Sequence, residues 1–151
     1  MISMNSSIDK VRANKFDEWV GERQTLLAME LGRGVSILDI GCGIGRFTPM
    51  FLEKFKKIWG LDPSGEFLAE ARQGNSKVKY VQGWGETFEL SHKFDTISMN
   101  NLLEHVDDPV KLLKNCKHHL TEGGVILAQV PNSNSPARRL GEEMNLITFV
   151  Y

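Results

Sequence analysis

Residues 35–45 read Val-Ser-Ile-Leu-Asp-Ile-Gly-Cys-Gly-Ile-Gly. Val35 to Ile40 is a short, β-branched, mostly apolar run closed by glycines. Such a run reads as a strand buried on both faces, the kind found in a parallel sheet. Gly41, Gly43 and Gly45 stand at alternate positions. They permit a tight turn and a close approach of a ligand to the backbone. Beyond the turn, Phe47, Met50, Phe51 and Phe55 form a helical stripe over Arg46–Lys56, despite Pro49 in its first turns. The free N–H groups and positive dipole end of that helix suit an anionic group.

The pattern extends in both directions. Upstream, Phe16, Trp19, Val20, Leu27 and Leu31 recur at helical spacings, so 15–31 is predicted as an amphipathic helix stopped by Gly32 and Gly34. Residues 1–14 are polar. Downstream, Lys57–Leu61 is a second strand ending at Asp62-Pro63. Ser64–Gln73 is a helix with Phe67, Leu68 and Ala71 inward. Val78–Val81 and Phe94–Met99 are the third and fourth strands. Asp107–Leu120 is a helix that Asp107 or Asp108 caps, with Pro109 in its first turn. Gly123-Gly124 closes that region, and Val125–Val130 is a fifth strand. Alternating strands and helices indicate an α/β domain with a parallel sheet. Ligands in such domains bind at the carboxyl ends of the strands.

Composition narrows the class. The 151 residues carry 18 Lys+Arg and 19 Asp+Glu, a net charge of -1, so no basic footprint points to nucleic acid as a partner. Hydrophobic residues make up 41%, which suits one folded domain. No apolar run has the length of a membrane span, and the first residues lack a signal-peptide pattern. The expected location is cytoplasmic, with Cys42 and Cys116 reduced. No cluster of His, Cys, Asp and Glu has metal-ligand spacing, so no metal is expected. His118 and His119, at the end of a helix, are expected to be exposed or to complement the helix dipole. His92 lies in a polar loop with no evident partner. Cys42 lacks an adjacent base and does not read as a nucleophile.

The strand ends carry the chemistry. Arg46 occupies the place of the last glycine in G-x-G-x-x-G, so the turn is a poor dinucleotide fingerprint. Asp39, beside the turn, would repel a pyrophosphate but suits an ammonium group. Asp62 lies 21 residues after Gly41, where a carboxylate can accept hydrogen bonds from two ribose hydroxyls. Asp-Pro-Ser-Gly is also good turn chemistry.

In these motifs the chain resembles the class I S-adenosylmethionine-dependent methyltransferases, over roughly residues 15–135. ILDIGCGIGRF is similar to that family's first motif and IWGLDPS to its second-strand acid. VKYVQGWGETF, FDTISMNNLLEHVDDP and LLKNCKHHLTEGGVILAQVPN resemble the segments that follow. The resemblance implies a Rossmann-like doubly wound sheet, with at least five parallel strands in the order 3-2-1-4-5 and helices on both faces. It implies S-adenosylmethionine as cofactor and a small-molecule methyl acceptor, methylated at oxygen. The cofactor site would comprise Asp39, Gly41, Cys42, Gly43, Gly45, Asp62, Pro63, Gly83, Trp84, Glu86 and Asn100. The glycine turn and helix N-terminus suit the methionine carboxylate, Asp39 the ammonium, and Asp62 the ribose. Pro63 and Trp84 suit the adenine faces. Trp84 replaces an aspartate common in the family, and Glu86 can accept from the adenine amino group instead. Asn100 ends the fourth strand beside the reacting centre. His105 is the candidate general base, with a loop-orienting role for Glu104-His105 as the other reading.

The expected organisation is an N-terminal segment with a cap helix (1–34), a cofactor-binding core (35–135) and a short tail (136–151). The family's sixth and seventh strands have no evident counterpart in that tail. Leu146–Tyr151 has strand character, 136–144 reads as a short helix, and a second copy covering the open sheet edge would make a homodimer. Two other functions are compatible with parts of the pattern: a non-catalytic cofactor-binding or assembly module, and an NAD(P)-dependent oxidoreductase.

Overall fold

A computed structural model of the chain describes residues 15–132. Helix α1 spans Lys15–Leu31, α2 Gly65–Gly74 and α3 Pro109–His118. Strands β1 Ser36–Ile40, β2 Lys57–Asp62, β3 Lys79–Gln82, β4 Phe94–Asn100 and β5 Leu120–Gln129 form one sheet. All pairings are parallel, and the order is β3-β2-β1-β4-β5, as expected. Among the described residues no helix is long and apolar enough to cross a membrane.

Local chemistry explains the boundaries. The Ser64 side chain caps α2 by accepting the Phe67 N–H at 3.2 Å. Asp108, not Asp107, caps α3: its Oδ1 accepts the Lys111 N–H at 2.9 Å, with Pro109 at the first helical position. Central β1 is buried along its whole length. Its alternate side chains enter opposite layers. Ile37 packs with Ala28, Phe51 and Leu68 on one face. Leu38 and Ile40 pack with Ile97, Leu112 and Cys116 on the other.

Three local expectations are corrected. The helix expected over Arg46–Lys56 is only a six-residue 3-10 helix, Thr48–Glu53. Pro49 removes an N–H in its first turn, and Phe47 offers no capping side chain. Strand β5 starts at Leu120, five residues early. The Phe94 N–H bonds the His119 carbonyl at 2.8 Å, and a register shift near Gly123 absorbs the irregularity. In α1 the apolar stripe does not face inward: Trp19, Leu27 and Leu31 are exposed, whereas Thr25, Ala28 and Met29 are buried. The inner face packs Ala28 and Met29 on the core beside Phe51 and Phe55, with Leu26 partly buried against it, and is small or polar at Gly21 and Thr25. A Cβ at Gly21 would collide with the Phe47 ring. The expected short helix and strand of the tail lie outside the described residues, as do residues 1–14.

Asp95 fixes the amino ends of three strands. Its Oδ2 accepts the N–H groups of Val35 and Ser36 at 2.8 and 3.0 Å, and the Ser36 hydroxyl at 2.9 Å. Its Oδ1 accepts the Thr121 hydroxyl at 2.9 Å. The Val35 N–H above all, with burial opposing it and the Ser36 and Thr121 donors adding to it, holds the carboxyl below the usual carboxylate range. A lowered folded-state pKa contributes stability above the unfolded value, which is lost as pH falls through the folded one. Asp95→Ala is expected to destabilise by about 1–2 kcal/mol at pH 7, allowing for partial exposure. Urea unfolding at pH 7 and pH 3 checks it: the deficit should shrink at the lower pH.

Candidate cofactor site

The carboxyl ends of β1, β2 and β4 meet around the glycine turn. Asp62 ends β2 and is 7% exposed. Its Oδ2 accepts the Gly43 N–H at 2.9 Å, and its Oδ1 accepts the Ser64 N–H at 2.9 Å. Each oxygen keeps a second lone pair for another donor. The φ of +54° at Gly43 brings that N–H to the carboxylate. The N–H groups of Gly41 and Cys42 both bond the Leu61 carbonyl, at 2.8 and 3.2 Å, and the Gly45 N–H bonds the Cys42 carbonyl at 2.9 Å. These four turn amides are therefore engaged within the protein. Only a six-residue 3-10 helix, Thr48–Glu53, follows the turn.

Asp39, on β1, is buried. The Thr48 hydroxyl donates to its Oδ2 at 2.6 Å. Burial raises the carboxyl to about 7; the Thr48 bond opposes the rise, and the Asp62 charge adds to it. Burial also keeps the neighbouring Cys42 thiol protonated, with the Asp39 and Asp62 charges adding to the effect.

Two adjacent cavities open here. One, of about 280 Å³, lies between α1 and the strand ends, with Asp39, Thr48, Cys42 and Asn100 in its walls. The other, of about 680 Å³, is lined by Asp62, Pro63, Phe67, Trp84, Glu86 and His105. Gly41 and Asn101 belong to both. Gly43 and Gly83 also line the larger cavity. Gly45 lines neither of the two and packs against Tyr80 and Ala71. His105 ends a single 3-10 turn, Leu103–His105, and is exposed toward the larger cavity, away from Asp39.

Supporting residues escaped the sequence reading. Asn115 Nδ2 donates to the carbonyls of Gly85 and Phe88 at 3.1 and 3.0 Å. His119 is buried, contrary to expectation. Its Nε2 accepts the Leu90 N–H at 3.2 Å, so Nδ1 carries the proton that bonds the Asn115 carbonyl at 2.9 Å. Together they hold the loop bearing Trp84 and Glu86. His92 stacks on Trp59 with ring centroids 5.7 Å apart. Across the smaller cavity, the amides of Gln24 and Asn101 exchange two hydrogen bonds of 3.1 Å. Asn101 takes a φ of +51°, uncommon for a residue with a side chain. Arg46 pairs with Glu18 at 3.1 Å, which ties α1 to the turn.

Comparison with known proteins places the chain in a family by sequence and fold. A family of methyltransferase domains matches residues 11–149. A trans-aconitate 2-methyltransferase of an Azoarcus species is 31% identical over 124 residues, which are 80% of this chain and 49% of that protein. A ubiquinone biosynthesis O-methyltransferase of Pseudomonas paraeruginosa is 29% identical over 136 residues, 86% of this chain and 54% of that protein. The chain thus spans about half the length of these curated relatives. The solved structure of the N-methyltransferase NodS from Bradyrhizobium japonicum, in complex with S-adenosyl-L-homocysteine, superposes with a TM-score of 0.69 at 21% identity, covering 83% of this chain and 67% of that one. By family match and strand order, this chain belongs to the methyltransferase domain family, with the class I S-adenosylmethionine-dependent methyltransferase fold.

Proposed function

We propose that this chain binds S-adenosylmethionine across the two adjacent cavities and directs methyl transfer to an oxygen of a small-molecule acceptor. The observation that carries this reading is a pair of buried carboxylates on neighbouring strands. Asp39 opens on the smaller cavity and Asp62 on the larger, and the two cavities meet at Gly41 and Asn101. A ligand with a cation at one end and vicinal hydroxyls further along suits that spacing of charge. The O-methyltransferase relative supports oxygen as the methylated atom.

The residues divide the work. S-adenosylmethionine, when bound, supplies a methyl group already activated on a sulfonium. Asp39 pairs with the ammonium of the methionine end. Asp62 accepts both ribose hydroxyls with the lone pairs that Gly43 and Ser64 leave free. Pro63, Phe67 and Trp84 give the adenine apolar contact, and Glu86 accepts from its amino group. His105, exposed at the larger cavity, takes the proton of the acceptor hydroxyl as methyl transfer proceeds. Placing the acceptor in line and excluding water do the rest, so no larger catalytic constellation is needed.

Thermal unfolding with S-adenosylhomocysteine, S-adenosylmethionine and NADH tests the cofactor. At 100 times Kd a ligand adds about 2.7 kcal/mol, or about 5–11 °C in Tm for a chain of this size. The two S-adenosyl compounds should raise Tm and NADH should not. Asp62→Ala is expected to weaken S-adenosylhomocysteine binding at least tenfold by the same assay. His105→Ala should leave that binding intact and lower kcat by about 10²–10⁴-fold. An unchanged kcat assigns His105 to the loop instead.

Asp39 makes binding depend on pH. Pairing with an ammonium needs the carboxylate, and in the free protein burial keeps it protonated up to about pH 7. Affinity for S-adenosylhomocysteine is expected to peak near pH 8, to fall about tenfold per unit below pH 6, and to fall again at high pH as the ligand's own ammonium deprotonates. A raised folded-state pKa also means that the free protein loses stability as pH climbs from the usual carboxylate range through about 7. Asp39→Asn escapes that loss. Without ligand it should melt above the wild type at pH 8 and equal it at pH 4, while binding S-adenosylhomocysteine at least tenfold more weakly.

A further inference from the structure

The methionine end of the cofactor carries a carboxylate as well as an ammonium, and the turn amides of Gly41, Cys42, Gly43 and Gly45 are engaged elsewhere. A side-chain amide on another wall of the Asp39 cavity can supply a donor. Asn100 stands there. It lies two residues beyond Ser98, which is paired with Asp39 across β1 and β4, so it shares the face of Asp39, about 7 Å further along the sheet.

Its amide has a fixed polarity. Gln129 on β5 donates from Nε2 to the backbone carbonyl of Gln24 at 2.9 Å, and from the same nitrogen to Asn100 Oδ1 at 2.9 Å. A backbone carbonyl only accepts, so the nitrogen of Gln129 must face it. The amide nitrogen has two hydrogens, and both are used. Asn100 must therefore turn its oxygen to Gln129 and its Nδ2 the other way. Gln129 lines neither of the two cavities.

Resting on the cofactor reading above, we infer that Asn100 presents its amide NH2 to the methionine carboxylate, and that Gln129 is a positioning residue that sets this orientation. Asp39 and Asn100 then hold the two charges of the amino-acid end from neighbouring strands. The chain Gln24–Gln129–Asn100 also ties α1 to that function. α1 thus fastens at the cavity through Gln24 while Ala28 and Met29 pack on the core.

The test compares two ligands that differ only in this end: S-adenosylhomocysteine, and 5′-methylthioadenosine, which lacks the amino-acid carbons. Binding to the full chain is measured by calorimetry. Asn100→Asp keeps an acceptor for Gln129 but replaces the donor with a negative oxygen. It should weaken S-adenosylhomocysteine at least tenfold and change 5′-methylthioadenosine less than twofold. Gln129→Glu can only accept, so it draws the Asn100 nitrogen toward itself and turns the oxygen to the ligand. It should reproduce the same selective loss although Gln129 lines neither cavity, and Gln129→Leu, which loses the same bond to Gln24, controls for any shift of α1. Gln129→Leu frees the Asn100 amide to rotate and should cost less, about threefold. If either acidic variant weakens both ligands equally, or neither, the assignment is wrong. Should Gln129→Glu fail to unfold cooperatively, Asn100→Asp decides alone. A wild type that binds neither ligand overturns the cofactor reading and this inference with it; one that binds both isolates the question to Asn100.

Discussion

The Asp62 carboxylate joins two pieces of chain that local sequence leaves separate. One oxygen takes the N–H of Gly43, from the turn after β1, and the other takes the N–H of Ser64, at the start of α2. The Leu61 carbonyl beside it collects two further amides, from Gly41 and Cys42. The glycine turn is thereby welded to the end of β2, and the two central strands present their ends at a common level. Glycine is needed at 43 because the N–H reaches the carboxylate only with a positive φ. Everything that lines the two cavities is referenced to this junction.

One consequence is electrostatic. The Gly43 amide, drawn toward the Asp62 carboxylate, is not offered to an anion. A second carboxylate, Asp39, is buried one strand away and is kept partly protonated by burial, with Asp62 adding to the effect. The site is then short of positive charge until a cation arrives. A ligand bearing an ammonium relieves this, and ordinary backbone-cradled anions do not.

Much of the fold was legible in the sequence. Apolar runs ending at glycine, Asp62-Pro63 and Pro131 gave away the strands, because a central parallel strand must be apolar on both faces. Ser64 and Asp108 with Pro109 marked helix starts through chemistry that acts within three residues. The 46–56 segment misled because its aromatic spacing is helical while Pro49 and an uncapped start favour a tighter turn. The inner face of α1 was misread because Thr25, Ala28 and Met29, not the stripe through Trp19, Leu27 and Leu31, meet the core and the Phe47 ring.

The site was legible in part. Asp39, Asp62, Pro63, Trp84, Glu86 and Asn100 surround the cavities, as the motifs implied. Thr48, Gln24, Asn115, His119 and Gln129 were not visible as site-builders. Apart from the four-residue Asn115–His119 contact, their bonds cross 9 to 105 residues of chain, and neither periodicity nor a motif reports such pairings. The most direct measurement is a crystal structure of the full chain with S-adenosylhomocysteine. The account predicts the amino nitrogen against Asp39 and both ribose hydroxyls on Asp62. A ligand lying the other way round, with adenine in the Asp39 cavity, or one held by the glycine-turn amides, would contradict it.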